Sequence, residues 1–205
     1  MSTKNASFIT GEKKDWIEKL EKDSKEKNLE IKTDDFLSYD EFIKYFEKLE
    51  KIDDHNFIIG ASFSYSWMPT ILKNLNPSEI SECVKILNRV KKGAKIELKD
   101  IETLQKCINN SVIGASKLLH FVNPEIYPIL DSRVFSYMFS YIKEKKPTEI
   151  KPKHYSDYIS WCEEIIKEKE FNEIYENVKK KIGKEGKISK IRALDLIAYT
   201  KGKEL

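Results

Sequence analysis

Apolar residues return every three to four positions along most of the chain, and each such stretch reads as one face of a helix. Trp16, Ile17 and Leu20, set among lysines and glutamates across residues 12–29, form a narrow stripe and predict a helix at the edge of the molecule. Ser38-Tyr39-Asp40-Glu41 has the S-x-x-E form of a capping box. It stands just before Phe42, Ile43, Tyr45, Phe46 and Leu49, so a second helix with a broad aromatic face is expected to start there. The most apolar region, residues 57–75, is interrupted by Gly60 and Pro69, which predicts two short buried helices or one bent at the proline. Asn76-Pro77-Ser78-Glu79 puts a proline in the first turn of a helix whose inward face is Ile80, Val84, Ile86, Leu87 and Val90. Leu98, Ile101, Leu104 and Ile108 repeat the pattern over residues 97–109. A proline-punctuated loop with Pro147 and Pro152 precedes a helix carrying Tyr155, Ile159, Trp161, Cys162, Ile165 and Ile166, and two last helices fall around residues 171–178 and 188–199. Strand-like alternation is confined to brief runs such as residues 29–31, and no repeat period emerges. The expected fold is all-α: a single multi-helix domain of roughly nine to eleven helices at ordinary helix lengths. Residues 37–205 would form its core and residues 1–36 a peripheral N-terminal helical arm.

Charge changes this picture little. At 205 residues the chain can bury one sizeable core, and 37 basic against 34 acidic residues leave a net charge of +3, which does not by itself announce a nucleic-acid binder. Lysine is concentrated in residues 143–153 and 179–190, where a solvated helix face or loop is the ordinary explanation. Cys83, Cys107 and Cys162 are odd in number and widely spaced, without C-x-x-C or a histidine at metal-ligand spacing, so buried free thiols in a reducing cytoplasm are expected and no metal or cofactor. The first residues lack a continuous apolar core of a secretion signal, and no stretch approaches 18 apolar residues, so neither export nor a membrane span is expected.

Candidate chemistry is concentrated in residues 114–134, GASKLLHFVNPEIYPILDSRV. Lys117, Leu118 and Phe121 recur at helical spacing, so Gly114 opens a short buried helix that ends near Asn123-Pro124. Pro124 and Pro128 bracket a loop, and Ile129-Leu130 deliver Asp131 to the start of a further helix that begins at Ser132. Asp131 then has two compatible readings: an N-cap that accepts backbone N–H groups of the first turn, or a carboxylate held by that same cap geometry and turned to a cleft. Lys117 and His120, three apart on one helix, and Arg133, two beyond the aspartate, supply polar company that a plain helix start does not need.

The order helix, short glycine-containing turn, helix, apolar linker, proline, aspartate, helix resembles the helix-hairpin-helix DNA glycosylase superfamily, whose hairpin L-P-G-[VI]-G-x-K-T-A precedes P-[VI]-D-[TS]-x-[VF]. The likeness covers residues 108–139. Val112-Ile113-Gly114 stands at the hairpin glycines, and Pro128-Ile129-Leu130-Asp131-Ser132-Arg133-Val134 at the aspartate motif. This chain departs from the pattern in several places. It keeps one hairpin glycine, has Asn110-Ser111 where Leu-Pro would stand, inserts a residue between Pro128 and Asp131, and carries Lys117 one position late. The resemblance implies double-stranded DNA as partner and cleavage of an N-glycosidic bond. Asp131 would stabilise the electron-poor sugar carbon or activate a nucleophile, Lys117 would be a candidate amine nucleophile, and Gly114 would offer its backbone N–H to a phosphate. His120, Arg133, Ser132, Tyr65 and Trp67 are the candidate substrate contacts, the last two with Phe63 as stacking wall or wedge, although aromatics in so apolar a region are more commonly core.

The rival is a non-catalytic helical interaction module in which Lys117, Asp131 and Arg133 form an ion network that fixes the central loop. A metal-dependent nuclease is weaker, because Asp53, Asp54, Glu125 and Asp131 offer no recognised ligand spacing. Exposure discriminates: an open Lys117–Asp131 cleft favours DNA, whereas an Asp131 sealed by Arg133 and backbone N–H groups favours the module.

Overall fold

A computed structural model describes residues 7–26, 29, 36–142, 146–183 and 188–204. Among them ten α-helices follow in order: α1 (Lys13–Lys25), α2 (Phe36–Lys48), α3 (Asp54–Ser66), α4 (Ile80–Lys91), α5 (Leu98–Cys107), α6 (Val112–Val122), α7 (Ser132–Ile142), α8 (Pro152–Ile165), α9 (Phe171–Ile182) and α10 (Lys190–Lys201), with 3-10 turns at Pro77–Glu79 and Gly202–Glu204. The protein is all-α, and the described residues contain no strand beyond an isolated antiparallel bridge between Leu75 and Ile108. No helix among them is long and apolar enough to cross a membrane. Of the strand-like run at 29–31 only Leu29 is described, and residues 143–145 and 184–187 of the two lysine-rich stretches lie outside the described residues.

Two helices carry the core. Ten of the eleven residues of α6 are buried, and α6 packs against α2, α3, α4, α5 and α8. A helix apolar on all sides must be enclosed on all sides, and burial of Leu118, Leu119 and Phe121 is worth about 1.5–3 kcal/mol each. The second is α10, buried from Ala193 to Ala198 and surrounded by α1, α7, α8 and α9. The N-terminal helix is less peripheral than its narrow stripe suggested. Trp16, Ile17 and Leu20 enter the common core, with the Trp16 ring 4.2 Å from Tyr141 and 5.0 Å from Trp161. Close approach of α3 to α2 and α6 depends on Gly60, where a Cβ would fall 2.4 Å from Phe46 Cζ and 2.9 Å from Leu118 Cδ1.

Two local expectations fail. Ser38 does not cap the second helix: α2 already begins at Phe36, and the Ser38 hydroxyl accepts the Trp67 indole N–H at 2.9 Å. Nor does a helix continue through Pro69. Asp53 and Asn56 form a capping box that starts α3 earlier than the apolar run, at Asp54, and the helix stops at Ser66. Proline disfavours helical backbone at the residue before it and has no N–H to extend the ladder. The segment from Trp67 to Asn76 instead crosses to the α5–α6 turn.

Candidate functional site: a clamped aspartate beside a buried lysine

The α5–α6 turn comprises Ile108, Asn109, Asn110 and Ser111, with Asn109 at φ 54° and Asn110 at φ 51°. Left-handed backbone, expected of a glycine, is here supplied by asparagine, which tolerates it better than other non-glycine residues. Asn109 also ties down the segment after α3: Oδ1 accepts the N–H groups of Lys73 at 3.0 Å and Asn74 at 2.7 Å, and Nδ2 donates to the Ile71 carbonyl at 2.9 Å. Ser111 caps α6 and accepts the Gly114 N–H at 3.0 Å. Gly114 therefore sits inside the first turn of α6, its N–H already bonded within the chain. The space a Cβ would need belongs to the Tyr65 ring, 2.9 Å away.

Beyond α6, four consecutive residues leading to Asp131 are each held by a buried side chain. The Tyr127 carbonyl accepts from His120 Nδ1 at 2.6 Å, the Pro128 carbonyl from the Tyr155 hydroxyl at 2.9 Å, Asp195 Oδ2 accepts the Ile129 N–H at 2.8 Å, and Ser116 Oγ accepts the Leu130 N–H at 3.2 Å. Because Tyr127 offers only a carbonyl, His120 Nδ1 carries the proton, and Nε2 accepts from the Tyr39 hydroxyl at 2.9 Å. His120 is thus a neutral structural strut, its pKa pushed down to about 3 by burial and then by the nearby Arg192 charge. Asp195 is drawn the other way, up to about 7 by burial, although Arg192, the Ile129 N–H and the Tyr158 hydroxyl at 2.9 Å favour its charged form.

Asp131 emerges from this clamp as the N-cap of α7. Its Oδ1 accepts the N–H groups of Arg133 at 2.9 Å and Val134 at 3.0 Å, while Oδ2 makes no hydrogen bond among the described residues and the side chain is half-buried. The expected contact with Arg133 runs through its backbone only: the guanidinium lies over the Tyr199 ring at 4.6 Å. Ser132 is exposed and lines a groove of about 350 Å³ with Asn110, Ser111, Ile113 and Lys146. Lys117, 6% exposed, donates to the Trp67 carbonyl at 2.7 Å and so caps the C-terminal end of α3. Burial lowers its pKa to about 8, opposed by Asp131 and assisted by Arg192. Lys117 forms no ion pair among the described residues, so the three-membered Lys117–Asp131–Arg133 ion network is not present.

The candidate residues thus divide. Lys117, Asp131 and Trp67 gather around one spot with His120 behind it, whereas Gly114 and Tyr65 pack against each other and Arg133 and Ser132 face elsewhere. Tyr65 keeps a buried hydroxyl without a partner among the described residues, and Phe63 stacks on Phe42 at 4.4 Å. Arg192, Tyr39 and Asp195 complete the spot and went unnoticed in the sequence. Arg192 rests over the rings of Tyr39 at 5.1 Å and Trp67 at 5.7 Å. Its signal was a lone carboxylate, Asp195, in the apolar run Ala193-Leu194-Asp195-Leu196-Ile197-Ala198, with an arginine three residues before it. Among the described residues no group of three or more histidines, cysteines or carboxylates could hold a metal ion. Several lysines of the C-terminal third are engaged within the chain: Lys179 pairs with Glu176 at 3.0 Å, and Lys181 donates to the Glu26 carbonyl at 2.6 Å.

No curated protein and no solved structure matches the chain. Residues 88–202 match a family of unknown function, DUF6308, and since that match takes in more than half of the chain, from the end of α4 through the site to the end of α10, the protein belongs to that family.

Proposed function

We propose that the protein binds double-stranded DNA and cleaves an N-glycosidic bond, with Lys117 as amine nucleophile and Asp131 as the carboxylate that stabilises the cationic sugar carbon. The observation that carries the reading is the clamp over Tyr127 to Leu130, which presents a half-buried Asp131, with one oxygen bonded to no described residue, beside an amine of lowered pKa. Electrostatic help is most effective from a group already fixed where charge develops. A lysine near pKa 8 keeps about a tenth of its molecules neutral at pH 7. The neutral amine adds to C1′ as the C1′–N bond breaks, and the base departs with the bonding pair and takes up a proton. The sugar ring opens with loss of the amine proton to give an imine, which water hydrolyses to an abasic site and free lysine. Trp67 and Tyr39 supply an aromatic wall at the same spot.

The rival reading, a non-catalytic helical module, is favoured by the caps themselves, since Lys117 closes α3 and Asp131 opens α7. Incubating the protein with duplexes carrying damaged or mismatched bases, followed by alkali, separates the two. Strand breaks at one lesion, lost in Asp131→Asn with binding retained, are expected; no duplex binding at low salt leaves the module as the better account.

A further inference from the structure

Arg192 is the most poorly satisfied polar group near the site. Its Nε is buried without a hydrogen-bond partner, and none of its guanidinium nitrogens donates to an acceptor among the described residues. The Tyr39 and Trp67 rings hold it by their faces, which attracts the charge but satisfies none of its N–H groups. Asp195, Asp131, Asp40 and Glu125 are close enough to act on the cluster, yet none of them accepts from the guanidinium among the described residues. Asp195 has both oxygens on the Ile129 N–H and the Tyr158 hydroxyl, and Asp131 has Oδ1 on the first turn of α7, with Oδ2 bonded to no described residue. Lys117, the second cation, has spent one of its three donors on the Trp67 carbonyl. Two cations therefore face a spot at which no described residue accepts from the guanidinium fork, and Arg192 is only partly buried, so solutes can reach it.

We propose that Arg192 and Lys117 form a receptor for a phosphate-type oxyanion, seated against Trp67 and Tyr39 beside Asp131. A planar fork and a compact ammonium together suit a tetrahedral anion with several oxygens better than a single carboxylate, which the fork alone would take. The same chemistry is carried by a phosphodiester of a nucleic acid and by a free phosphate or nucleotide. The inference rests on the proposed catalytic reading only in placing its ligand at the same spot; the receptor does not require Lys117 to act as a nucleophile.

The test follows the thermal midpoint of the full chain at pH 7 in sodium phosphate against sodium chloride of equal ionic strength, for wild type, Arg192→Leu and Arg192→Lys. In wild type the midpoint rises with phosphate and the rise saturates. Arg192→Leu, which removes an unpartnered buried N–H, starts with a midpoint in chloride no lower than wild type and shows no phosphate response. Arg192→Lys keeps charge without the fork and needs about tenfold more phosphate for half the shift. A wild-type response no larger than that to chloride, or an undiminished response in Arg192→Leu, overturns the proposal. Repeating the titration with a 5′-mononucleotide and with an oligonucleotide duplex identifies the source, an Arg192-dependent response to either one upholding the receptor. A phosphate response without base excision overturns the catalytic reading alone. Excision unimpaired in Arg192→Leu, together with no phosphate response, overturns this inference alone.

Discussion

One oxygen of Asp131 holds the first turn of α7 and the other makes no hydrogen bond among the described residues, so structural and chemical roles separate by substitution. Asp131→Ala loses the cap and is expected to destabilise by about 1 kcal/mol, whereas Asp131→Asn, a comparable cap, keeps most of that stability; urea midpoints of the two variants measure the difference. Equal midpoints for Asp131→Ala and wild type would remove the cap from the account. Gly114 makes a different kind of prediction. The sequence suggested a turn glycine presenting its N–H to a ligand, but that N–H is bonded to Ser111 and the missing Cβ makes room for Tyr65. Gly114→Ala should therefore cost about 1–3 kcal/mol by overpacking. Combining it with Tyr65→Leu should recover part of that loss, a recovery that a glycine needed only for its N–H would not show.

At the scale of elements, most helices were legible because burial along α4, α5, α8 and α9 follows the apolar spacing of the chain, and a stripe of that period has one face to hide. The failures came where a local signal met a tertiary competitor. Ser38 had the form of a cap but is used by the Trp67 indole, and residues 67–75, the end of the apolar region 57–75, looked apolar enough for helix but are drawn across to the α5–α6 turn. No periodicity reports that crossing, because its bonds, from the Asn109 side chain and between backbones, join residues more than thirty positions apart. Asn109 is thus expected to organise two elements at once. Asn109→Ala loses three hydrogen bonds and strains a left-handed position, while Asn109→Gly relieves the strain and still lacks the bonds. Hydrogen exchange at Lys73 and Asn74 should accelerate in both variants, and global stability should fall further in the alanine one. Protection at these two amides unchanged in Asn109→Gly would contradict the tie.

At the scale of the whole molecule, α6 and α10 share one core and bring two buried titratable groups with opposite demands to the clamp around Asp131. His120, near 3 in the fold against an ordinary 6.5, adds stability that is full above about pH 6.5 and is lost as pH falls toward 3. Asp195, near 7 against an ordinary value near 4, adds stability that is full below about pH 4 and is lost as pH rises through 7. Between pH 4 and 6.5 the two oppose each other, so Asp195→Asn should leave stability rising with pH more steeply than in wild type, as urea midpoints across that range would show; an unchanged slope would exclude Asp195 as the opposing group. The site was half legible for the same reason that the clamp works. Lys117 and Asp131 lie close in sequence and stand out from an apolar segment, whereas Arg192 and Asp195 join them only when α10 folds against the linker, a long-range contact with no local spacing. The central claim is that this assembly makes Lys117 a nucleophile toward a sugar carbon of duplex DNA. Sodium borohydride added during incubation with lesion-bearing duplexes reduces any imine to a stable amine, and peptide mass mapping then locates the attached sugar. The account predicts an adduct on Lys117 that disappears in Lys117→Met; no adduct with any duplex, or adducts spread over exposed lysines while Lys117 stays unmodified, would contradict it.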